Sequence, residues 1–85
     1  MTNWVVYLLR CCDGSLYCGA SNDVKKRVFA HNAGRGAKYT RSRLPVALEI
    51  VRNGFTKSDA LKLEAKVKKQ PKQNKRAFLA SWSNP

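Results

Sequence analysis

The sequence has little acidic charge and no long hydrophobic run. Five aspartate and glutamate residues stand against 17 lysine and arginine residues, so the 85-residue chain carries a net charge of +12. No apolar stretch approaches the ~18 residues that a membrane-spanning helix requires. No basic segment precedes an apolar one at the N-terminus, so no signal peptide is predicted. So basic a small protein most often binds a polyanion, with nucleic acid ahead of an anionic membrane surface.

Cysteine and histidine are too few, and too irregularly spaced, for a zinc site or a disulfide framework. Cys11 and Cys12 are adjacent, Cys18 is the third cysteine, and His31 is the one histidine. We interpret the cysteines as small apolar residues of a protein in the reducing cytoplasm.

Because a chain this short buries only ~60–65% of the surface that its unfolded form exposes, residues 1–85 are predicted to form a single domain.

Alternating apolar runs and turn residues predict an α+β fold. Strands are predicted over residues 4–9, 15–20 and 46–55. Helices are predicted over residues 24–33 and 72–80, and another is predicted to be opened by Thr56 and stopped by Pro71, with a loop or a short turn of helix over residues 35–46. In the resulting order ββαβαα, a central three-stranded antiparallel sheet is flanked by helices.

Capping residues mark where two of these helices begin. The segment Ser21-Asn22-Asp23 supplies caps for the first helix, and Gly34 is placed to close it. Thr56 and Asp59 have the spacing of a capping box at the start of the second helix. These boundaries therefore rest on side-chain chemistry as well as on hydrophobic periodicity.

The first two strands are predicted to form a β-hairpin whose register the residues leave open. A two-residue turn at Asp13-Gly14 would place Tyr7 and Tyr17 on opposite faces of the sheet. A three-residue loop with Gly14 in the left-handed conformation would pair Tyr7 with Gly19 and place both tyrosines on one face. The choice matters because a one-residue slip moves every side chain to the other face.

Basic residues form two runs with almost no compensating acid. Residues 24–48 contain seven basic residues and no acidic one, namely Lys25, Lys26, Arg27, Arg35, Lys38, Arg41 and Arg43. Residues 60–76 contain seven more and one acid, namely Lys62, Lys66, Lys68, Lys69, Lys72, Lys75 and Arg76 with Glu64. A single run of this kind is commonly a solvated helix face, whereas two runs favour phosphate binding with a steep dependence on salt.

Glu64, the one acid of the second run, falls in the middle of an apolar arc on a helical wheel. The arc consists of Ala60, Leu61, Leu63, Ala65 and Val67, and Lys62, Lys66 and Lys69 lie opposite. A carboxylate that points into so small a core needs a cation or a metal ion beside it. The alternative is a surface pair with Lys68, four residues on, worth only ~0.3–0.5 kcal/mol.

Four other residues have ordinary explanations when each is taken alone. Tyr7 and Tyr17 are typical aromatic residues of a strand core. Arg27 and His31 lie four residues apart on one predicted helix, where a snorkelling arginine and a structural histidine are both common.

Taken together, these residues resemble the GIY-YIG endonuclease superfamily. The paired strand motif is present as Val5-Val6-Tyr7 and, ten residues later, as Tyr17-Cys18-Gly19. Arg27 and His31 follow on the next helix, and Glu64 lies in the helix after the third strand. Each motif is short, but five elements in this order and spacing are specific, and the resemblance covers about residues 4–79.

Two further segments narrow the resemblance to one part of the superfamily. His31-Asn32-Ala33-Gly34 and Gly36-Ala37-Lys38-Tyr39-Thr40 are similar to the small stand-alone bacterial members. They also resemble the catalytic domain of Slx-type structure-specific nucleases. The implied fold is the three-stranded sheet with flanking helices, and it requires both tyrosines on one face, which selects the bulged hairpin.

By resemblance, the expected activity is divalent-metal-dependent hydrolysis of DNA phosphodiester bonds. Glu64 is expected to hold one Mg²⁺ or Mn²⁺ ion, and Arg27 to bind a non-bridging phosphate oxygen. Tyr7 resembles the residue proposed as general base. Tyr17 would position the phosphate or the nucleophile, and His31 would orient Tyr7 or share the proton transfer.

The remaining expectations concern binding and biological setting. Gly19 is interpreted as the small residue that lets a phosphate or a neighbouring side chain approach the sheet. The residues expected to contact nucleic acid are Lys26, Arg35, Lys38, Arg41, Arg43 and Lys68.

With no appended DNA-binding domain, branched or damaged DNA would be recognised by its structure, or with the help of a protein partner. A role in cytoplasmic DNA repair is expected. No membrane partner is expected, and the oligomeric state is left open. The competing interpretation is a non-catalytic basic module that binds nucleic acid and keeps the nuclease fold.

Overall fold

A computed structural model describes residues 2–83 and contains three strands and four helices. The strands are β1 (Trp4–Arg10), β2 (Leu16–Ser21) and β3 (Ala47–Phe55), and the helices are α1 (Val24–Asn32), α2 (Lys38–Arg41), α3 (Lys57–Lys68) and α4 (Lys72–Ala80). The strands form one antiparallel sheet in the order β2-β1-β3. The α+β class, the sheet and the order ββαβαα are confirmed, with α2 as the short helical turn between α1 and β3.

The β1–β2 hairpin adopts the bulged register. Tyr7 pairs with Gly19 and Leu9 with Tyr17, and Gly14 has the positive φ of 82° that the three-residue loop requires. Because alternate residues of a strand share a face, Tyr7 and Tyr17 project from the same side of the sheet.

The central strand β1 is buried on both faces, which divides the core into two parts. Val6 and Leu8 pack toward α3 and α4, in a cluster that includes Leu63 of α3. Tyr7 and Leu9 pack on the opposite face, where Tyr17 and residues of α1 join them. Side chains of β1 alternate between the two parts, so Tyr7 lies in the layer between the sheet and α1.

Side-chain N-caps form where they were predicted, at the start of α1 and of α3. The Asp23 carboxylate accepts a hydrogen bond from the Lys26 amide at 3.1 Å, and the Thr56 hydroxyl accepts one from the Asp59 amide at 3.1 Å. α1 ends at Asn32, one residue earlier than predicted. Across residues 2–83, none of the helices has the length and apolar character needed to cross a bilayer.

The helical-wheel prediction for α3 needs correction. Only Ala60, Leu63 and Val67 are buried, whereas Leu61 is 44% exposed and Ala65 faces solvent. Glu64 therefore lies at the edge of the buried stripe and not at its middle, with its side chain 19% exposed. The wheel counted every apolar residue as core, but the sheet covers only the narrow stripe of residues three and four apart.

Two basic side chains satisfy carbonyl groups at helix ends. Arg52 of β3 donates hydrogen bonds to the carbonyl oxygens of Leu79, Ala80 and Trp82 at 2.8–2.9 Å. Lys75 of α4 does the same at the end of α3, where its ammonium group donates to two carbonyl oxygens at 3.0 and 3.1 Å. Carbonyls of a last helical turn have no partner within the helix. These contacts therefore stabilise the ends of both helices and hold α4 against β3 and α3.

Replacing Arg52 with methionine is expected to destabilise the domain by about 2 kcal/mol, because charge-assisted hydrogen bonds to part-buried carbonyls are lost. Arg10→Met is the matched control on a neighbouring strand, since the one ion pair of Arg10 within residues 2–83 is an exposed pair with Glu49, which is worth ~0–1 kcal/mol. Urea unfolding of both variants measures the difference. Equal losses of unfolding free energy would contradict the capping role of Arg52.

Candidate active site

A buried line of hydrogen-bonding groups begins at Tyr7. β1 places the Tyr7 ring and α1 places the imidazole of His31, and both side chains are almost fully buried. The Tyr7 hydroxyl lies 3.5 Å from Nε2 of His31, a long contact, and Nδ1 of the same ring lies 2.8 Å from the Thr40 hydroxyl. Thr40 in turn donates to the carbonyl oxygen of Ala37 at 2.9 Å.

The hydroxyl groups favour one tautomer of His31. Because the Thr40 proton is directed at the Ala37 carbonyl, the Thr40 oxygen is free to accept from an N–H at Nδ1. Nε2 then carries a lone pair that faces Tyr7 and accepts the phenolic proton. In the other tautomer, Nδ1 would accept from Thr40 and from the Ala37 amide at 3.4 Å, and the Tyr7 proton would have no acceptor within residues 2–83.

Two glycines make this close packing possible. A Cβ built on Gly19 would lie 3.0 Å from a ring carbon of Tyr7 and closer still to its hydroxyl oxygen. A Cβ on Gly36 would lie 2.8 Å from the backbone Cα of His31 and closer still to its imidazole. Side chains at these positions would displace the tyrosine or the histidine. The neighbour expected to approach the sheet at Gly19 is therefore Tyr7 itself.

The second half of the site comes from α3. The Lys68 ammonium lies 3.3 Å from the Glu64 carboxylate and 5.4 Å from the centroid of the Tyr17 ring. The Tyr17 ring in turn lies 5.3 Å from the His31 ring. Tyr17 therefore joins the buried Tyr7–His31 pair to Glu64 and Lys68, which approach from the other layer past the edge strand β2.

Burial and the Arg27 charge shape the electrostatics of the buried pair. Burial raises the pKa of Tyr7, and the Arg27 guanidinium nearby opposes that rise. Burial, followed by the charge of Arg27, lowers the pKa of His31. At neutral pH both groups are therefore uncharged, as an imidazole that accepts a proton from a phenol must be.

The structure brings together most of the residues that the sequence singled out. Tyr7 and Tyr17 each contact His31, with Gly19 beneath Tyr7, and Glu64 is linked to them through Lys68. The charge of Arg27 acts on both Tyr7 and His31. Their catalytic and metal-binding roles stay predictions at this point.

The other cations predicted to contact nucleic acid are spread over the surface of α1, α2 and the loops. Four of them are exposed, namely Lys26, Arg35, Lys38 and Arg41. Arg43 is more constrained, because its guanidinium lies 4.0 Å from the Tyr39 ring centroid and pairs with Asp13 at 3.2 Å. Arg43 therefore has a packing role in addition to any contact with phosphate.

Thr40 and Gly36 are site residues that sequence reasoning did not identify. Neither has a periodic relation to His31, since Gly36 lies in the loop after α1 and Thr40 in α2, and this segment folds back over α1. The segment Gly36-Ala37-Lys38-Tyr39-Thr40 did carry part of the family resemblance, and this was the available signal.

The donor set is compatible with one hard divalent cation. Residues 2–83 contain no group of three histidine, cysteine, aspartate or glutamate side chains that could enclose a metal ion. Mg²⁺, however, is commonly held by one or two carboxylates, with water and substrate phosphate filling its other positions. The Glu64 side chain is only 19% exposed, and its one ion pair among residues 2–83 is with the ammonium of Lys68, so it fits that one-carboxylate arrangement.

Comparison with known proteins gives one consistent result. The sequence profile of the GIY-YIG catalytic domain matches residues 3–77. A UPF0213 protein of Nitratidesulfovibrio vulgaris is 45% identical over 78 residues, which make up 92% of this chain and 71% of that protein. A UPF0213 protein of Neisseria meningitidis is 47% identical over 75 residues, covering 88% of this chain and 82% of that protein.

Two structures solved by solution NMR have a similar fold. A UPF0213 protein from Bacillus halodurans superimposes with a TM-score of 0.56 at 36% identity, covering 96% of this chain and 87% of that one. A protein from E. faecalis gives a TM-score of 0.63 at 37% identity, covering 95% and 90% of the two chains. Sequence and fold comparisons therefore point to the same group of small proteins.

Acid is expected to destabilise the domain through His31. A histidine whose pKa is lowered by folding takes up a proton more readily in the unfolded chain, so stability falls as pH drops below about 6.5 and continues to fall toward the native pKa. Urea unfolding between neutral and mildly acidic pH measures this slope. Because His31 is the only histidine, His31→Gln should remove most of the slope, and an unchanged slope would contradict the assignment.

Gly19→Ala is expected to cost about 1–3 kcal/mol of unfolding free energy, because the new methyl group overpacks the site against Tyr7. The Tyr7 hydroxyl oxygen and the ring carbon that bears it are the nearest obstacles, so the cost should be smaller when Gly19→Ala is made in a Tyr7→Leu background, which lacks the ring. Urea unfolding of the single and double variants forms a thermodynamic cycle. Strictly additive losses would show that the two positions do not meet.

Proposed function

The chain belongs to the GIY-YIG catalytic domain family, a family of nuclease domains, and on that premise we propose that it is a divalent-metal-dependent endonuclease that hydrolyses DNA phosphodiester bonds. The observation that carries the proposal is the continuous set of contacts from the buried Tyr7–His31 pair, through Tyr17 and Lys68, to Glu64. It supports a phenol, a histidine and a carboxylate acting on one substrate.

Glu64 is the proposed metal ligand. A bound Mg²⁺ or Mn²⁺ ion would supply Lewis-acid stabilisation of the scissile phosphate and of the leaving oxygen. A bound metal ion would replace the Lys68 ammonium as the partner of the Glu64 carboxylate. Lys68 is then available to contact a phosphate group of the substrate.

Tyr7 is the proposed general base, and its burial constrains how it acts. Because burial raises the pKa of Tyr7, forming a free phenolate would be costly. The contact with His31 offers a less costly route, in which the Tyr7 oxygen takes a proton from the attacking water while its own proton passes to Nε2 of His31. The imidazolium that results keeps its Nδ1–H bond to Thr40.

Arg27 and Tyr17 complete the proposed machinery. The exposed Arg27 guanidinium can bind a non-bridging phosphate oxygen and offset the charge that develops in the transition state. The Tyr17 hydroxyl would position the phosphate or the water, since its ring contacts both His31 and the Lys68 ammonium.

Substrate binding is proposed to depend on the basic surface and on DNA shape. With a net charge of +12, the affinity for DNA should fall steeply as salt rises, because each neutralised phosphate releases counterions. We assign recognition to the structure of branched or damaged DNA, or to a protein partner, and not to base sequence. A role in cytoplasmic DNA repair follows from that substrate class as part of the same proposal.

Cleavage of supercoiled and branched DNA in Mg²⁺ or Mn²⁺ tests the proposal. Glu64→Gln and Tyr7→Phe are each expected to lower the cleavage rate by at least 10²-fold, because one loses the metal ligand and the other the general base. Binding at low salt without metal should survive in both variants, since neither change removes a cation.

Glu49→Gln is the matched control, because Glu49 is also a half-buried carboxylate but pairs with Arg10 and Arg76 away from the site. That variant should cleave at the wild-type rate. If the wild-type protein binds DNA but cleaves none of these substrates with either metal, the non-catalytic binding module is the correct interpretation.

A further inference from the structure

A cavity of about 260 Å³ opens beside the proposed active site. Its lining consists of Leu16, Tyr17, Cys18, Tyr39, Lys68 and Lys75. Two of these residues, Tyr17 and Lys68, also belong to the active site, so whatever occupies the cavity lies next to the reacting groups. Tyr39 has no part in the chemistry proposed above.

Tyr39 presents an aromatic ring that is both exposed and held in place. The ring is 41% exposed, yet it stacks on Tyr17 with centroids 6.0 Å apart and an interplanar angle of 26°. Arg43 lies 4.0 Å from the Tyr39 ring centroid and donates a hydrogen bond to the Tyr39 carbonyl oxygen at 2.8 Å. The ring therefore loses little freedom when a ligand packs on it.

The two lysines of the cavity differ in their hydrogen-bond partners. The Lys75 ammonium donates to two carbonyl oxygens at the end of α3, so its position in the cavity wall is fixed. Lys68 is 49% exposed at its side chain and lies between Glu64 and the Tyr17 ring. The cavity thus combines flat aromatic surface with one cation that can turn toward an anion.

Size and chemistry together restrict the ligand. Pockets for drug-sized molecules enclose ~300–1,000 Å³, so this cavity suits a smaller flat group that carries a negative charge nearby. A nucleobase with its flanking phosphate has these features, and aromatic stacking is how proteins hold unpaired bases without reading their sequence.

We propose that this cavity is a nucleobase-binding subsite, in which a base turned out of its stack packs against Tyr39 and Tyr17 while Lys68 contacts the adjoining phosphate. The subsite rests on the proposed function for the identity of the polymer, but base stacking itself requires neither metal nor cleavage. It would place the phosphate next to the extruded base beside Tyr7 and Glu64.

The test measures binding of the full chain, in the presence of a metal chelator, to two short DNA probes of equal length. One probe is oligothymidylate, and the other has abasic sugars at every position and therefore the same phosphates without bases. The wild-type protein should bind the thymidine probe about tenfold more tightly. Tyr39→Leu should abolish that preference, because Tyr39 is the exposed ring of the cavity, whereas the Tyr17 ring already contacts His31 and the Lys68 ammonium.

Two further variants make the result specific to the cavity. Tyr39→Trp keeps an aromatic surface and should keep the preference for the thymidine probe. Phe29→Leu is the matched control, because Phe29 is also exposed, at 69%, with the Arg35 guanidinium 5.9 Å from its ring centroid, but it lies outside this cavity. That variant should behave as wild type.

Each outcome decides one proposal separately from the other. Equal affinity of the wild-type protein for both probes, or a preference that persists in Tyr39→Leu, would overturn the nucleobase subsite even if the protein cleaves DNA. A preference that disappears in Tyr39→Leu but persists in Tyr39→Trp and Phe29→Leu would establish the subsite even if no cleavage is found. A preference lost in all three variants would also overturn it, since the effect would not be specific to the cavity.

Discussion

The contact between the Tyr7 hydroxyl and His31 is the constraint on which the rest of the site depends. Both side chains are buried, so each polar atom must find a partner inside the protein or cost the fold its desolvation energy. Thr40 supplies that partner on the far side of the imidazole, and glycines at 19 and 36 leave the room for it. The proposed catalytic arrangement is thus also a solution to a packing problem.

Much of the fold could be predicted because short stretches of the sequence indicate each helix, strand and turn. Thr56 and Asp59, Gly14, and the apolar run of β1 each indicate a structure by their own chemistry, and the predicted elements formed within a residue or two. The hairpin register could not be chosen from these residues alone. It was selected by the resemblance, since only one register puts Tyr7 and Tyr17 on the same face.

The site was less predictable than the fold, for two physical reasons. Glu64 was placed in the middle of a buried arc because the wheel treated Leu61 and Ala65 as core, whereas burial depends on how much of the helix the sheet covers. Thr40 was missed because its hydroxyl reaches His31 only through the way α2 folds back over α1. Such a contact produces no helix or strand periodicity in the sequence. The net charge likewise overstates the free cations, since Arg52 and Lys75 are used to cap helices.

The position of Tyr7 on the central strand has a consequence for its mobility. β1 is hydrogen-bonded along both edges, to β2 and to β3, and amides in such a strand exchange with solvent mainly when the whole domain opens. The backbone of Tyr7 is therefore expected to move away from its place in the sheet only when the domain opens as a whole. In the proposed function, adjustment to substrates of different shape would then be made by the outlying cationic side chains, around a Tyr7 that keeps its position.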